Sequence, residues 1–198
     1  MLICARTGDG LEGVFSIQDE VRPEAHAVVA RLHALSVRPI VMLTGDGAET
    51  AEMVGRRIGV DEVRARLLPE DKVRAVRALR EVHGSVAMLG DGVNDAPALA
   101  EATVGLAMGA AGSPATIETA DVALMADDLT KLPYAVRLAR SARRTIRFNI
   151  ALALGLKLVL AVGAVFGVVS LAVAVLVGDM GGSLAVTVNA LRIARMRE

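Results

Sequence analysis

The chain has a single cysteine (Cys4), no tryptophan, one tyrosine and three phenylalanines. A lone cysteine excludes an internal disulfide and fits a reducing compartment. So few aromatic rings leave no platform for stacking bases, and 22 basic groups against 22 acidic ones leave no net charge to draw a polyanion. Nucleic acid is therefore not expected as a partner. Lysine is also scarce, with 3 residues beside 19 arginines, a bias that reflects genome composition more than chemistry. The opening Met-Leu-Ile-Cys-Ala-Arg is too short an apolar stretch for a signal peptide. Disorder, collagen-like repeats and a disulfide scaffold are excluded by composition as well.

What is present is unevenly spread. Mean hydropathy is +0.50 although 22% of the residues are charged, and the two coexist only if apolar residues are concentrated. From Phe148 to Leu191, 44 residues carry only two charges, Lys157 and Asp179, while the first 147 residues hold 38 of the 44 charged groups. A spanning helix needs about 20 apolar residues, so this stretch predicts two spans, 148–167 and 170–191. The turn falls at Gly167-Val168-Val169-Ser170. Two buried core helices are the alternative, and they would need a much larger soluble protein to cover them. Arg137, Arg140, Arg143, Arg144 and Arg147 precede the first span, and Arg192, Arg195 and Arg197 follow the second. The turn has no Lys or Arg, so the positive-inside rule places both hairpin ends and the preceding soluble domain in the cytoplasm.

Two ionisable groups then fall near mid-bilayer. Lys157 is ten residues past Arg147, about 15 Å along a helix, too deep for its head to snorkel easily. Asp179 lies nine residues past the turn. Facing lipid alone, each would cost several kcal/mol, so both are expected to face a bundle interior and neutralise one another. Such a pair is either a lock for the hairpin or a carboxylate that binds a cation in transit, with a built-in counter-charge. Gly178, Gly181 and Gly182 would let a helix or a bare ion approach Asp179 closely.

The first part alternates short apolar runs, polar turns and helices, the signature of a parallel α/β sheet. Expected strands are Val14–Ile17, 39–43, Ser85–Leu89, 103–107 and 121–125; expected helices are Pro23–Leu35, Glu49–Ile58, Glu70–His83 and one starting near Pro97. Polar loops follow two of the strands: Thr44-Gly45-Asp46-Gly47, and Gly90-Asp91-Gly92-Val93-Asn94-Asp95. Such sheets bind ligands at these strand ends. Residues 82–130 contain no Lys or Arg but seven carboxylates, a setting suited to a hard divalent cation. The second loop lacks the alternating ligands and late Glu of a calcium loop. Taken singly, Thr44-Gly45-Asp46 reads as a capped turn and Lys72 as a surface lysine. Together, a Thr hydroxyl with backbone N–H donors, a lysine and a carboxylate pair are what a transferring phosphoryl group requires.

Thr44-Gly45-Asp46, Pro69-Glu70-Asp71-Lys72 and Gly90-Asp91-Gly92-Val93-Asn94-Asp95-Ala96-Pro97 resemble the phosphorylation-domain motifs of P-type ATPases, members of the haloacid dehalogenase superfamily. Asp19 to Ala25 resembles the hinge by which the nucleotide-binding domain returns to the phosphorylation domain. The hairpin points to a subclass. Ala153 to Lys157 is similar to the penultimate helix of zinc/cadmium/lead exporters, and Asp179-Met180-Gly181 to the Asp-x-Gly of their last helix. The Tyr-Asn and Met-x-x-Ser-Ser of copper exporters and the His-Glu-Gly-Gly of the cobalt type are absent.

The resemblance implies an incomplete Rossmann-like, haloacid dehalogenase-type α/β domain followed by a two-helix transmembrane hairpin. Residues 1–18 would end the nucleotide-binding domain, 19–135 form the C-terminal part of the phosphorylation domain, 136–147 a basic linker helix, and 192–198 a cytoplasmic tail. Thr44 would bond the phosphoryl oxygens, Gly45 belongs to the same motif, Lys72 would neutralise the phosphoryl charge, and Asp46 would meet the nucleotide near its ribose. Asp91 and Asp95 would hold Mg²⁺, with Asn94 ordering the loop around the attacking water. Asp179 would ligate the transported cation, with Lys157 as counter-charge. The implied function is ATP-driven export of a divalent heavy metal (Zn²⁺, Cd²⁺ or Pb²⁺) through an aspartyl phosphate, in a bacterial plasma membrane.

The phosphorylated aspartate's Asp-Lys-Thr-Gly-Thr motif, the actuator Thr-Gly-Glu and the Cys-Pro-Cys metal site do not occur in the 198 residues. Asp19 is followed by Glu-Val-Arg and cannot replace that nucleophile. The chain alone is therefore expected to be inactive and to need the N-terminal part of the pump as partner. The alternative is a stand-alone, membrane-anchored metal-binding or regulatory protein derived from such a pump. An anchored phosphatase fails for want of an Asp-x-Asp nucleophile.

Overall fold

A computed structural model describes residues 2–7, 10–16, 20–90, 95–108, 119–125 and 128–192. It divides into two units, Met1–Leu129 and Thr130–Glu198. The expected hinge aspartate Asp19 and the loop residues Asp91, Gly92, Val93 and Asn94 lie outside the described residues.

The first unit opens with strands β1 (Leu2–Thr7) and β2 (Gly10–Ser16), an antiparallel pair whose register shifts between Ala5 and Arg6. Helix α1 (Ala25–Ala34) follows, starting past Pro23 and burying Val28, Val29 and Leu32. Strand β3 (Val41–Leu43), helix α2 (Ala48–Ile58) and strand β4 (Glu62–Arg64) form one β-α-β crossover with β3 and β4 parallel. The second is β5 (Ala87–Gly90), α4 (Ala96–Glu101) and β6 (Val104–Met108), and β7 (Val122–Leu124) adds in parallel beyond β6. Helix α3 (Pro69–His83) joins the two. This is the parallel-sheet, Rossmann-like architecture that the alternation predicts.

Local chemistry explains the boundaries. Gly59 and Gly84 end α2 and α3 at φ of +82° and +76°, a region that side chains with a Cβ disfavour. Pro69 starts α3 where its missing N–H costs nothing, and Asp71 Oδ2 accepts a bond from the Leu68 N–H (3.0 Å). The chain between them forms β4, absent from the sequence reading because Glu-Val-Arg has no apolar run. The Val60 N–H bonds the Gly55 carbonyl and the Asp61 N–H bonds the Ile40 carbonyl, which brings this strand beside β3. Helix α2 can lie on β4 because residue 55 is glycine: any Cβ there would collide with Val63 Cγ2.

The core gathers Val76 of α3, Met88 of β5, and Ala98 and Leu99 of α4, with Leu43, Val73, Val86 and Ala102 packed against them. Val76 and Leu99 are fully buried, each worth about 1.5–3 kcal/mol. In β6, flanked on both sides, Gly105 to Met108 are buried, as a central parallel strand requires.

The second unit begins with α5 (Lys131–Val165), 35 residues and long and apolar enough to cross a membrane. The arginine-rich stretch and the apolar stretch after it are one uninterrupted helix. None of its apolar window is buried within the chain, which tells against the soluble-core alternative. After a turn with Gly167 at φ +70° come α6 (Leu171–Leu176), a π-helical turn (Val177–Gly181) and α7 (Gly182–Leu191). Here the structure departs from expectation: 170–191 is three helical pieces, not one α-helix, and α5 is the one membrane-length helix among the described residues. The physical cause is local, since Gly178, Gly181 and Gly182 are poor α-formers in one short stretch.

Candidate functional site

Thr44, Gly45 and Asp46 form the loop that carries β3 into α2. The Thr44 hydroxyl donates to Asp46 Oδ2 (2.8 Å), and the Asp46 N–H donates to Thr44 Oγ1 (3.1 Å). The linker before α3 is tied to this loop by the Leu67 N–H on the Thr44 carbonyl and the Arg66 N–H on the Asp46 carbonyl. Arg66 takes φ +57° to make that turn, and the Leu67 carbonyl would lie 3.4 Å from a Cβ on Gly45. Loop and linker therefore form one hydrogen-bonded unit from which α3 starts.

Lys72 projects from the first turn of α3 to Asp95, which begins α4 beyond the end of β5. Its Nζ lies 2.7 Å from Asp95 Oδ1, and the side chains are only 19% and 14% exposed. Gly90 makes room for this carboxylate, because a Cβ there would sit 2.9 Å from Asp95 Cβ. Of the sequence-derived residues, Lys72 and Asp95 are thus brought into contact, and Thr44, Gly45 and Asp46 are joined to the start of α3 by backbone bonds. Among the described residues no cluster of three or more His, Cys, Asp or Glu forms a ready metal cage.

Neighbouring ion pairs brace α3. Glu101 meets Arg77 (3.1 Å) and Arg80 (3.4 Å), and its bond to Arg77 holds its carboxyl below the ordinary range. The Leu68 N–H, followed by Arg74, does the same for Asp71. Asp61, not singled out in the sequence, joins three segments by accepting from the Ile40 N–H (2.8 Å), His33 Nε2 (2.9 Å) and Arg38 (3.0 Å). A carboxylate beside a three-residue strand carries no periodic signal, so only the fold reveals it.

In the second unit Lys157 Nζ lies 3.0 Å from Asp179 Oδ1, so the two ionisable groups of the apolar stretch are paired. Both remain exposed within this chain, at 60% and 66%. Asp179 sits inside the π-helical turn. Two amides to which the sequence assigns no role, Asn189 being part of the stretch that resembles the last helix of zinc/cadmium/lead exporters, also meet across the segments: Asn189 Nδ2 donates to Asn149 Oδ1 (2.7 Å), and Asn149 Nδ2 to the Val186 carbonyl (3.4 Å). The signal was available, since each is an isolated amide eight or ten residues from one member of the ion pair.

The family model for haloacid dehalogenase-like hydrolases matches residues 5–103. The chain belongs to that family. Within haloacid dehalogenase-like proteins its relatives are P-type ATPases. Along 97% of its length it is 46% identical to a probable cadmium-transporting ATPase of Staphylococcus aureus, of which it spans 24%. A manganese-exporting P-type ATPase of Mycobacterium bovis is 45% identical over 94% of the chain, which covers 26% of that protein. The crystal structure of a zinc-transporting PIB-type ATPase in the E2.Pi state superposes with a TM-score of 0.87 at 42% identity, covering 98% of this chain and 31% of that one. The chain therefore spans about a quarter of the length of the curated relatives it matches.

Proposed function

We propose that this chain supplies the phosphoryl-site support and the last two membrane segments of an ATP-driven pump that exports a divalent heavy-metal cation. One observation carries the reading: the same chain holds a part-buried Lys72–Asp95 pair at a parallel strand end and a Lys157–Asp179 pair between the membrane-length helix α5 and the apolar helical segments that follow it. Neither pair alone implies transport, but a pump must couple a phosphoryl site to an ion site.

In this reading Lys72 lends its charge to the phosphoryl oxygens, kept in place by Asp95 until they arrive. The Thr44 hydroxyl turns its proton from Asp46 to a phosphoryl oxygen, and Asp46 is released toward the ribose. The donor set fits Mg²⁺, a hard ion that prefers carboxylate oxygens: Asp91 and Asp95 would hold it, with Asn94 supporting their loop. When bound, the ion neutralises developing phosphoryl charge. Asp179 ligates the cargo and Lys157 replaces it as partner when the site empties. The hairpin spans a bacterial plasma membrane with both ends and the α/β unit cytoplasmic, as its arginine flanks suggest. The relatives' names include cadmium, zinc and manganese; the Lys157 and Asp179 motifs favour Zn²⁺, Cd²⁺ or Pb²⁺.

The test is a chimera in which these 198 residues replace the matching segment of the staphylococcal cadmium pump, reconstituted in vesicles. Cadmium- or zinc-stimulated ATP hydrolysis is expected, with Asp179→Ala abolishing the stimulation. A chimera that inserts and folds yet shows no metal-stimulated turnover would sink the reading. Unchanged stimulation in Asp179→Ala would reduce the ion pair to a helix lock.

A further inference from the structure

Among the described residues the Asn149 and Asn189 side chains bond one another across the apolar segments, a polar contact for which the proposed pump cycle gives no role. Its position in the register gives it meaning. A Cβ on Gly178 would lie 3.4 Å from Leu160 Cδ1, and one on Gly182 3.7 Å from Leu156 Cδ2. Leu160 against Gly178, Leu156 against Gly182 and Asn149 against Asn189 fall on a single antiparallel register. The leucines are four residues apart, and so are the glycines. Slid by one helical turn, the seam would therefore offer Leu156 to Gly178 with the same shapes in contact. Packing of this kind brings helices together in lipid but discriminates poorly between registers.

The slide would be costly elsewhere. One turn is about 5.4 Å along the axis, enough to part Lys157 from Asp179, which now meet at 3.0 Å. The short connection at 166–170, where a Cβ on Gly163 would be 3.2 Å from Val169 Cγ2, restrains the closed end of the hairpin. At the open end no connecting loop joins the described segments. There Asn149 bonds α7 at two points, the Asn189 side chain and the Val186 carbonyl. A single polar residue in an apolar seam is a known means of fixing register, because a misplaced amide is left unsatisfied in an apolar medium.

We propose that Asn149 and Asn189 are positioning residues for Asp179: they close the open end of the hairpin and fix its register, keeping the cargo carboxylate opposite Lys157. The assignment rests on the pump reading for its purpose, but its geometry can be tested without turnover. In the full chain carrying Cys4→Ser, Lys157→Cys and Asp179→Cys, the ion pair is gone and the amides remain. A short bifunctional thiol reagent should then bridge positions 157 and 179 in vesicles. Adding Asn149→Leu and Asn189→Leu should cut that bridging at least fivefold, whereas a Gly163→Cys/Val169→Cys pair at the closed end should cross-link as before. Asn189→Ser, polar but too short to reach Asn149, should act in the same direction and guards against misinsertion of the leucine variant. Undiminished 157–179 bridging in both backgrounds would overturn the proposal.

In the chimeric pump, Asn149→Leu should raise the half-saturating cadmium concentration about tenfold while maximal turnover changes less than twofold, and Asn149→Gln should recover part of the loss. Equal half-saturation in all three would also overturn the positioning role. A chimera inactive throughout, with bridging still dependent on the amides, would count against the pump alone.

Discussion

Replacing Lys72 by methionine removes the ammonium and leaves Asp95 as a lone carboxylate, at a site where the pair is mostly screened from water. An exposed ion pair contributes about 0–1 kcal/mol. Removing one partner of a buried pair costs about 3–5 kcal/mol, because the other charge is stranded. With side chains 19% and 14% exposed, the Lys72–Asp95 pair lies nearer the buried limit, and about 3 kcal/mol is expected for Lys72→Met. For a unit of 129 residues that lowers Tm by roughly 10 °C. The assay is thermal unfolding of the full chain in detergent, with hydrogen exchange of α3 and β5 peptides to read this unit separately from the hairpin. The double variant Lys72→Met/Asp95→Leu should return to within about 1 kcal/mol of the parent, since an apolar pair of similar volume needs no charge partner. In the chimeric pump the same double variant should stay inactive, which separates the structural share of the pair from its chemical share. A cost below about 0.5 kcal/mol for Lys72→Met, or additive effects of the two single changes, would refute the pairing.

Three further outcomes follow from other contacts. Gly55→Ala should destabilise by about 1–2 kcal/mol despite alanine's better helix propensity, because its methyl group meets Val63 across the α2–β4 contact; a gain in Tm would contradict that packing. Asp61 has its carboxyl held below the ordinary 3.8, chiefly by the Ile40 N–H, so its stabilisation is present above that pH and is lost as pH falls through the lower folded value. Asp61→Asn should thus lower Tm near pH 7, by an amount that shrinks as the pH is taken down through the folded value, and a loss that does not change with pH would show that the charge is not what matters. Purified chain should show no Mg²⁺-dependent ATP hydrolysis, since none of its residues forms an Asp-Lys-Thr-Gly-Thr nucleophile motif; measurable turnover free of any partner polypeptide would overturn that statement.

The amino-acid order alone decided most of this protein. Apolar runs ending in Thr44-Gly45-Asp46 and at Gly90 mark parallel strands, because a strand buried on both faces must be apolar and its loop must be polar. Proline and glycine punctuate α2 and α3 through backbone sterics, which are local and therefore legible. The apolar excess after Phe148 is legible in the same way, and α5 is the membrane-length helix that it contributes to. Tertiary structure decided what depends on distant partners. Strand β4 exists only because Gly55 lets α2 settle on it and the Ile40 carbonyl accepts its first N–H groups. The sequence singles out Lys72, but its contact with Asp95, 23 residues away, exists only because α3 brings the two together. The Asn149–Asn189 bond has the same origin: a contact between segments far apart in the chain is set by packing and register, which no local pattern encodes.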